Sequence, residues 1–255
     1  MNRFTLDGPP FAGLDGSGVR IGIIDSGINP ANPHVGAITG GVHIAEHSDG
    51  EDWIDRLGHG TAVAAAIREK APAAELLAIR VFDRSLLTSA DRLGRAIRWA
   101  AVHRCHLINL SLGTANAERE SVLSPAIAQA NAAGCIVVSA RASDGVIWLP
   151  GCLPGVAGVL LDRSLARTEL RLETDGTGSP VFHTSGLPRP IPGVPAERNV
   201  SGISFAVANA TGFLARLVGA APALSVEARE ITGRPDRPLV VELAGLIESG
   251  GKAYR

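Results

Sequence analysis

Three side chains along this chain are of the types that together carry out acyl transfer. Asp25 closes the apolar run Ile21-Gly22-Ile23-Ile24, His59 stands in Gly58-His59-Gly60-Thr61, and Ser204 lies in Ser201-Gly202-Ile203-Ser204-Phe205-Ala206. A serine hydroxyl is a poor nucleophile until a base removes its proton. An imidazole serves best as that base when a carboxylate fixes its tautomer and steadies the imidazolium. The local settings suit these roles. A carboxylate at the carboxyl end of a parallel strand sits on the edge where α/β folds place their ligands. Glycines on both sides leave His59 accessible and allow close backbone approach. Ser204 falls on the first turn of a small-residue helix, near free N–H groups and the positive end of the helix dipole. Taken singly, each has a plainer reading: Asp25 as a turn or cap residue, His59 as a loop histidine with a structural hydrogen bond, Ser204 as a helix cap.

The elements that must position these groups alternate in kind. Val19 to Ile24, Leu76 to Phe82, Leu107 to Leu110, Cys135 to Ser139 and Val156 to Leu161 read as short, uniformly apolar, buried strands. Ala62 to Lys70, Ala90 to Val102 and Val122 to Ala133 read as the helices between them, with Gly134 at a helix C-terminus. That alternation predicts a three-layer α/β/α domain on a mostly parallel sheet of five or more strands. From Arg163 to Asn199 a turn at Asp175-Gly176 and four prolines predict a hairpin followed by irregular loop. Ile203 to Leu217 returns to a helical pattern. A charged turn at Gly233-Arg234-Pro235 then leads to a last apolar piece, Leu239 to Ile247. No internal repeat or low-complexity linker interrupts the chain, so residues 15–255 are expected to form one catalytic domain behind an N-terminal tail, residues 1–14.

Composition narrows the function classes. The 24 Lys plus Arg against 25 Asp plus Glu give a formal net charge of -1, which builds in no pull toward nucleic acid or an acidic membrane. The basic stretch Arg92 to Arg104 reads as a solvated helix face. Aromatics are 4% of the chain, too few for base-stacking platforms. No uninterrupted apolar run reaches the roughly 18 residues that span a bilayer, and Met1 to Leu14 lacks the apolar stretch of a secretory signal; with Met1 as the start, the cytoplasm is the expected location. Cys105, Cys135 and Cys152 share no metal-ligand spacing and are expected to be reduced structural thiols. Gly13, Gly16 and Gly18 precede the first strand, whereas a dinucleotide-binding turn must follow it.

Asp25-Ser26-Gly27, Gly58-His59-Gly60-Thr61 and Gly202-Ile203-Ser204 occur in the Asp, His, Ser order of subtilisin-like serine proteases, and the sequence resembles that family over roughly residues 15–217. Ile108-Asn109-Leu110-Ser111-Leu112-Gly113 resembles the strand on which subtilases align peptide substrates. Ala71-Pro72-Ala73-Ala74-Glu75-Leu76 resembles the entry to the strand after the histidine helix. The resemblance implies that Ser204 attacks the scissile carbonyl, His59 relays the proton and Asp25 orients His59. It further implies that Ser111, Leu112 and Gly113 pair with the substrate backbone. Ala140, Arg141 and Ala142 would form the opposite wall of the pocket beside the scissile carbonyl. Arg141 there suggests a bias toward acidic or C-terminal-carboxylate substrates, against the plainer reading of a solvent-facing or salt-bridged arginine.

The family pattern also breaks. Where subtilases place an oxyanion-binding asparagine, this chain has Ser143, whose hydroxyl donates one bond and reaches less far. Ile203 and Ala208 stand where the family signature has Thr and Pro. Ile67-Arg68-Glu69-Lys70 runs directly into Ala71-Pro72, without the loop that ligates calcium in many subtilases, so no metal or other cofactor is expected. With no pro-domain read ahead of Asp15, a minimal form of the family is expected. The expected activity is a serine endopeptidase of narrow specificity acting on a peptide or protein substrate. The alternative is a pseudoprotease that binds an extended peptide along Ser111-Leu112-Gly113 without cutting it. A non-proteolytic hydrolase remains a third class, although the Gly-x-Ser-x-Gly elbow of α/β-hydrolases is absent.

Overall fold

Alternate residues of a strand face opposite sides, and a sheet covered on both faces must therefore be apolar throughout. The run ending at Asp25 meets that demand. In the computed structural model, which describes residues 2–193, 195, 199–221 and 238–251, Ile21 and Ile23 point into one apolar layer and Ile24 into the other. The chain order is β1 (Asn2–Thr5), β2 (Arg20–Asp25), β3 (Gly40–His43), α1 (His59–Lys70), β4 (Glu75–Arg80), α2 (Ala90–Val102) and β5 (Leu107–Leu110). A short 3-10 turn (Ala117–Arg119), α3 (Glu120–Ala132), β6 (Ile136–Ala140), β7 (Ala142–Ser143), β8 (Val146–Ile147) and β9 (Ala157–Leu161) follow. β10 (Glu169–Thr174), β11 (Pro180–Thr184), α4 (Ile203–Ala220) and α5 (Leu239–Glu248) complete the described elements. The Gly233-Arg234-Pro235 turn lies outside the described residues.

Nine strands form one sheet in the order β1-β10-β11-β9-β6-β5-β2-β4-β3. The run from β11 to β3 is parallel, and β10 is antiparallel to both its neighbours. The predicted hairpin is thus β10–β11, and it extends the central sheet. Helices α1, α4 and α5 share one apolar layer, and α2 and α3 share the other. This is the expected α/β/α sandwich. Since β2 lies between β4 and β5, its carboxyl end opens where the crossovers diverge, the place such folds leave for ligands.

Three boundaries differ from the sequence expectation. Helix α1 begins at His59, not Ala62, because Asp55 takes up the N–H groups of the preceding turn. The segment expected as a tail is built into the domain: Asn2–Thr5 pair with Leu172–Glu169, and Phe11 is fully buried edge-on against Phe213, with ring centroids 5.0 Å apart. Burying a phenylalanine contributes about 2–3 kcal/mol. Helix α4 is long and apolar enough, over Ile203–Ala220, to cross a membrane by length and composition alone. Two thirds of it, however, is buried between the sheet and α1 as a core helix.

Candidate active site

The carboxylate of Asp25 is completely buried at the end of β2. Its Oδ1 accepts from the Ser26 N–H at 2.7 Å and lies 2.7 Å from His59 Nδ1. Oδ2 is buried and has no hydrogen-bond partner among the described residues. A carboxylate on Nδ1 places the proton there and leaves the Nε2 lone pair free to act as a base. Burial of the imidazole would by itself lower its pKa. The hydrogen bond that His59 donates to Asp25 and the charges of Asp25 and Asp55 outweigh that and hold His59 above its ordinary value. The contact demands close approach of two backbones. A Cβ on Gly60 would fall 2.2 Å from Gly27 O and 3.1 Å from the Asp25 Cβ, so only glycine follows His59 here.

Asp55 is the residue that sequence reasoning missed. Its Oδ1 accepts from Ser26 Oγ at 2.9 Å, Leu57 N–H at 2.8 Å and Gly58 N–H at 2.9 Å, and its Oδ2 accepts from the Thr61 N–H at 2.9 Å and the Thr61 hydroxyl at 2.5 Å. Ser26 Oγ in turn accepts from the Gly60 N–H at 2.9 Å. One carboxylate therefore caps α1 and, through Ser26, ties that cap to the strand end bearing Asp25. Burial pushes the Asp55 pKa up, but the Thr61 hydroxyl and the surrounding N–H groups prevail and keep it below the usual carboxylate range. The available signal was an acid four residues ahead of His59, with a helix-starting glycine and threonine between and after.

Ser204 lies on the first turn of α4, behind Gly202. Its neighbour Phe205 has its ring 6.1 Å from the His59 ring, which brings the two helix N-termini together. In this state the Ser204 hydroxyl donates to Ser111 O at 3.0 Å, while the Ser111 hydroxyl donates to Ser204 O at 3.1 Å. Asn109, fully buried at the centre of β5, donates through Nδ2 to Ser111 Oγ at 2.8 Å, and its Oδ1 accepts from Thr211 Oγ1 at 3.0 Å. The segment Ser111-Leu112-Gly113 is thereby locked onto the helix carrying Ser204. Asn109 and Thr211 were legible only as members of apolar elements.

The remaining predicted residues divide between two walls. Ser143 ends β7 in a tight hairpin whose central residues, Asp144 and Gly145, have φ of 51° and 80°, the left-handed pair that a two-residue turn needs. It lines a cleft of about 770 Å³ together with Gly202 and Ile203, adjoining Ser204, but its hydroxyl donates to Asp144 Oδ2 at 2.8 Å. Ala140 is buried in β6 and Ala142 lines the same cleft. Arg141 turns to Asp175 at 2.6 Å, so its charge is spent in a salt bridge, the plainer of its two readings. On the other side, Leu112 and Gly113 line a groove of about 380 Å³ with Leu86 and Leu87. Burial raises all three cysteine thiols, Cys105 to about 12, which suits unreactive structural thiols. Among the described residues no group of three or more His, Cys, Asp or Glu side chains is placed to hold a metal ion.

Known proteins agree with this arrangement. The chain is 34% identical over 142 residues to the Thermostable alkaline protease of Halalkalibacterium halodurans, a match covering 52% of this chain and 38% of that protein, so it spans well under half of that relative's length. It is 28% identical over 221 residues to Subtilisin Savinase of Lederbergia lenta, covering 83% of this chain and 77% of that one. The solved structure of Sphericase superposes with a TM-score of 0.66 at 21% identity, over 92% of this chain and 83% of that chain, a likeness of fold. The sequence pattern of the Subtilase family matches residues 16–147, more than half of the chain and the part that holds Asp25, His59 and Ser111. With the order and placement of its acid, base and nucleophile on this sheet, the chain belongs to the Subtilase family.

Proposed function

We propose that the protein is a serine endopeptidase that cleaves a narrow set of peptide or protein substrates. The observation that carries the reading is the buried Asp25 carboxylate 2.7 Å from His59 Nδ1, with Nε2 left unpaired among the described residues beside the helix turn that bears Ser204. A substrate adds as a strand along Ser111-Leu112-Gly113. Ser204 Oγ leaves Ser111 O by rotation about χ1, gives its proton to His59 Nε2 and bonds to the carbonyl carbon. The oxygen that gains the electron pair faces the Ser204 N–H, which its position in the first helical turn leaves without an internal acceptor. The Ser143 hydroxyl, turned away from Asp144, supplies a second donor. His59 then returns the proton to the leaving amine, and water repeats the sequence on the acyl-enzyme.

Narrow specificity follows from the weak second donor. In a subtilisin, losing the oxyanion-hole side chain costs about 10²–10³ in kcat, a magnitude borrowed for this chain from that relative. Substrates that bind well along the whole cleft would compensate. A peptide-binding pseudoprotease is the second reading, favoured by one observation: both hydroxyls concerned, Ser204 and Ser143, donate elsewhere, to Ser111 O and Asp144. A fluorophosphonate probe at neutral pH separates the two. Labelling that disappears in Ser204→Ala is the expected result, with higher peptide turnover in Ser143→Asn. A folded wild-type protein that takes no label would overturn the protease reading.

A further inference from the structure

The two walls named for the substrate are joined at their base by one short segment. Trp148 N–H donates to Arg141 O at 2.9 Å on one side, and Leu149 exchanges two bonds of 2.9 Å with Thr114 on the other. Leu149 is buried in the layer of α2 and α3, so strand alternation sends the Trp148 side chain to the opposite face. With the backbone bonded to Arg141 on one side and Thr114 on the other, that face turns toward the gap between Ser111-Leu112-Gly113 and Ala140-Arg141-Ala142. The contact is close: a Cβ on Gly113 would stand 3.6 Å from the Trp148 Cβ and 2.4 Å from Leu149 O. Arg141 leaves the space, since its side chain lies against Gly158 and reaches Asp175.

Two facts about the indole are unusual for a tryptophan. Trp148 is only partly buried and belongs to neither apolar cluster, yet its Nε1–H is shut off from solvent and has no hydrogen-bond partner among the described residues. Tryptophan normally buries its ring in a core or gives its N–H a partner. A ring lodged between two backbone walls, with its polar edge enclosed, accounts for both.

We infer that Trp148 fills the pocket beside the scissile carbonyl and restricts the enzyme to substrates with a small residue, Gly or Ala, at that position. The inference rests on the protease reading and deepens it. A bulky residue there would have to displace a packed indole, and packed sites do not accept extra volume without strain. A small residue leaves the ring in place and still offers its backbone to Ser111-Leu112-Gly113.

The test uses two quenched fluorogenic peptides identical except for Ala or Phe as the residue supplying the scissile carbonyl, with wild type, Trp148→Ala and Trp148→Leu, each first titrated with the fluorophosphonate probe. Wild type is expected to favour the Ala peptide at least tenfold in kcat/KM. Opening the pocket in Trp148→Ala should raise kcat/KM for the Phe peptide at least tenfold, with Trp148→Leu in between. Wild type that labels and cleaves the Phe peptide as fast as the Ala peptide overturns the inference alone, and that comparison decides the matter even if neither variant folds. An unchanged Ala-to-Phe ratio in a labelled Trp148→Ala overturns it equally. Absence of label in wild type removes the protease reading, and this inference with it.

Discussion

Lys70 ends the helix that begins with His59, and it is 1% exposed. Its stem lies against Gly212 of α4, and Arg216 of the same helix donates to its carbonyl at 2.6 Å. Burial, with Arg216 adding repulsion, pushes the ammonium from 10.5 down to about 7. A fall of that size corresponds to about 5 kcal/mol by which the folded state disfavours the charged form. Glu69, 3.2 Å away, opposes the shift, but its carboxylate also serves Arg167, so about 5 kcal/mol is a ceiling. The sign follows from linkage: between about pH 7 and 10.5 the unfolded chain holds a proton that the folded chain does not, so stability rises with pH across that window. Below about pH 7 both states are protonated and the whole penalty is felt. Lys70→Met keeps the apolar stem and removes the charge. In a Ser204→Ala background, urea unfolding at pH 6, 8 and 10 should show the variant gaining several kcal/mol at pH 6. The gain should shrink toward zero by pH 10. A gain independent of pH, or a loss greatest at pH 6, would refute the reasoning and identify the Lys70–Glu69 pair as net stabilising.

Other expectations follow from the site. Because Asp25 and Asp55 hold the His59 pKa above 6.5, the rising limb of kcat/KM against pH should be centred on the alkaline side of that value, and a limb at or below it would contradict the coupling. Asp55→Ala leaves the hydroxyls of Ser26 and Thr61 and three N–H groups without their acceptor, so it should cost about 3 kcal/mol in urea unfolding; a change under about 0.5 kcal/mol would show that water replaces the carboxylate. Arg141→Ala frees Asp175 at the hairpin turn and should leave the preference between acidic and neutral peptides unchanged, measured as a kcat/KM ratio. A reduced preference for acidic peptides would restore Arg141 to substrate binding.

What can be read in the chain itself is whatever depends on neighbours in sequence. The apolar runs through Ile21, Leu76, Leu107 and Ile136 declare buried strands because a sheet covered on both faces needs apolar residues throughout. The triad is legible because glycine-flanked His59, strand-ending Asp25 and helix-starting Ser204 each carry a local signature. Asp55 is not, since its value comes from five donors gathered by a fold in space, and an acid in a polar loop looks like any other. The first fourteen residues resemble a tail because their partners, among them Leu172 and Phe213, are distant in sequence. Ser143 lines the cleft, but no sequence pattern foretells that Asp144 would hold its proton.

The pairing of β1 with β10 has a bearing on how the domain forms. Asn2 faces Leu172 across that ladder, so nearly the whole sheet must be made before the first strand has anything to pair with. Closing so long a loop is entropically unfavourable, and folding slows as contacts span more of the chain. During synthesis the first residues would wait, unpaired and with Phe11 exposed, until β10, β11 and finally α4 had emerged. The helix that carries Ser204 would arrive after that pairing becomes possible, with α5 still to follow, so Asp25, His59 and Ser204 would come together only late in synthesis.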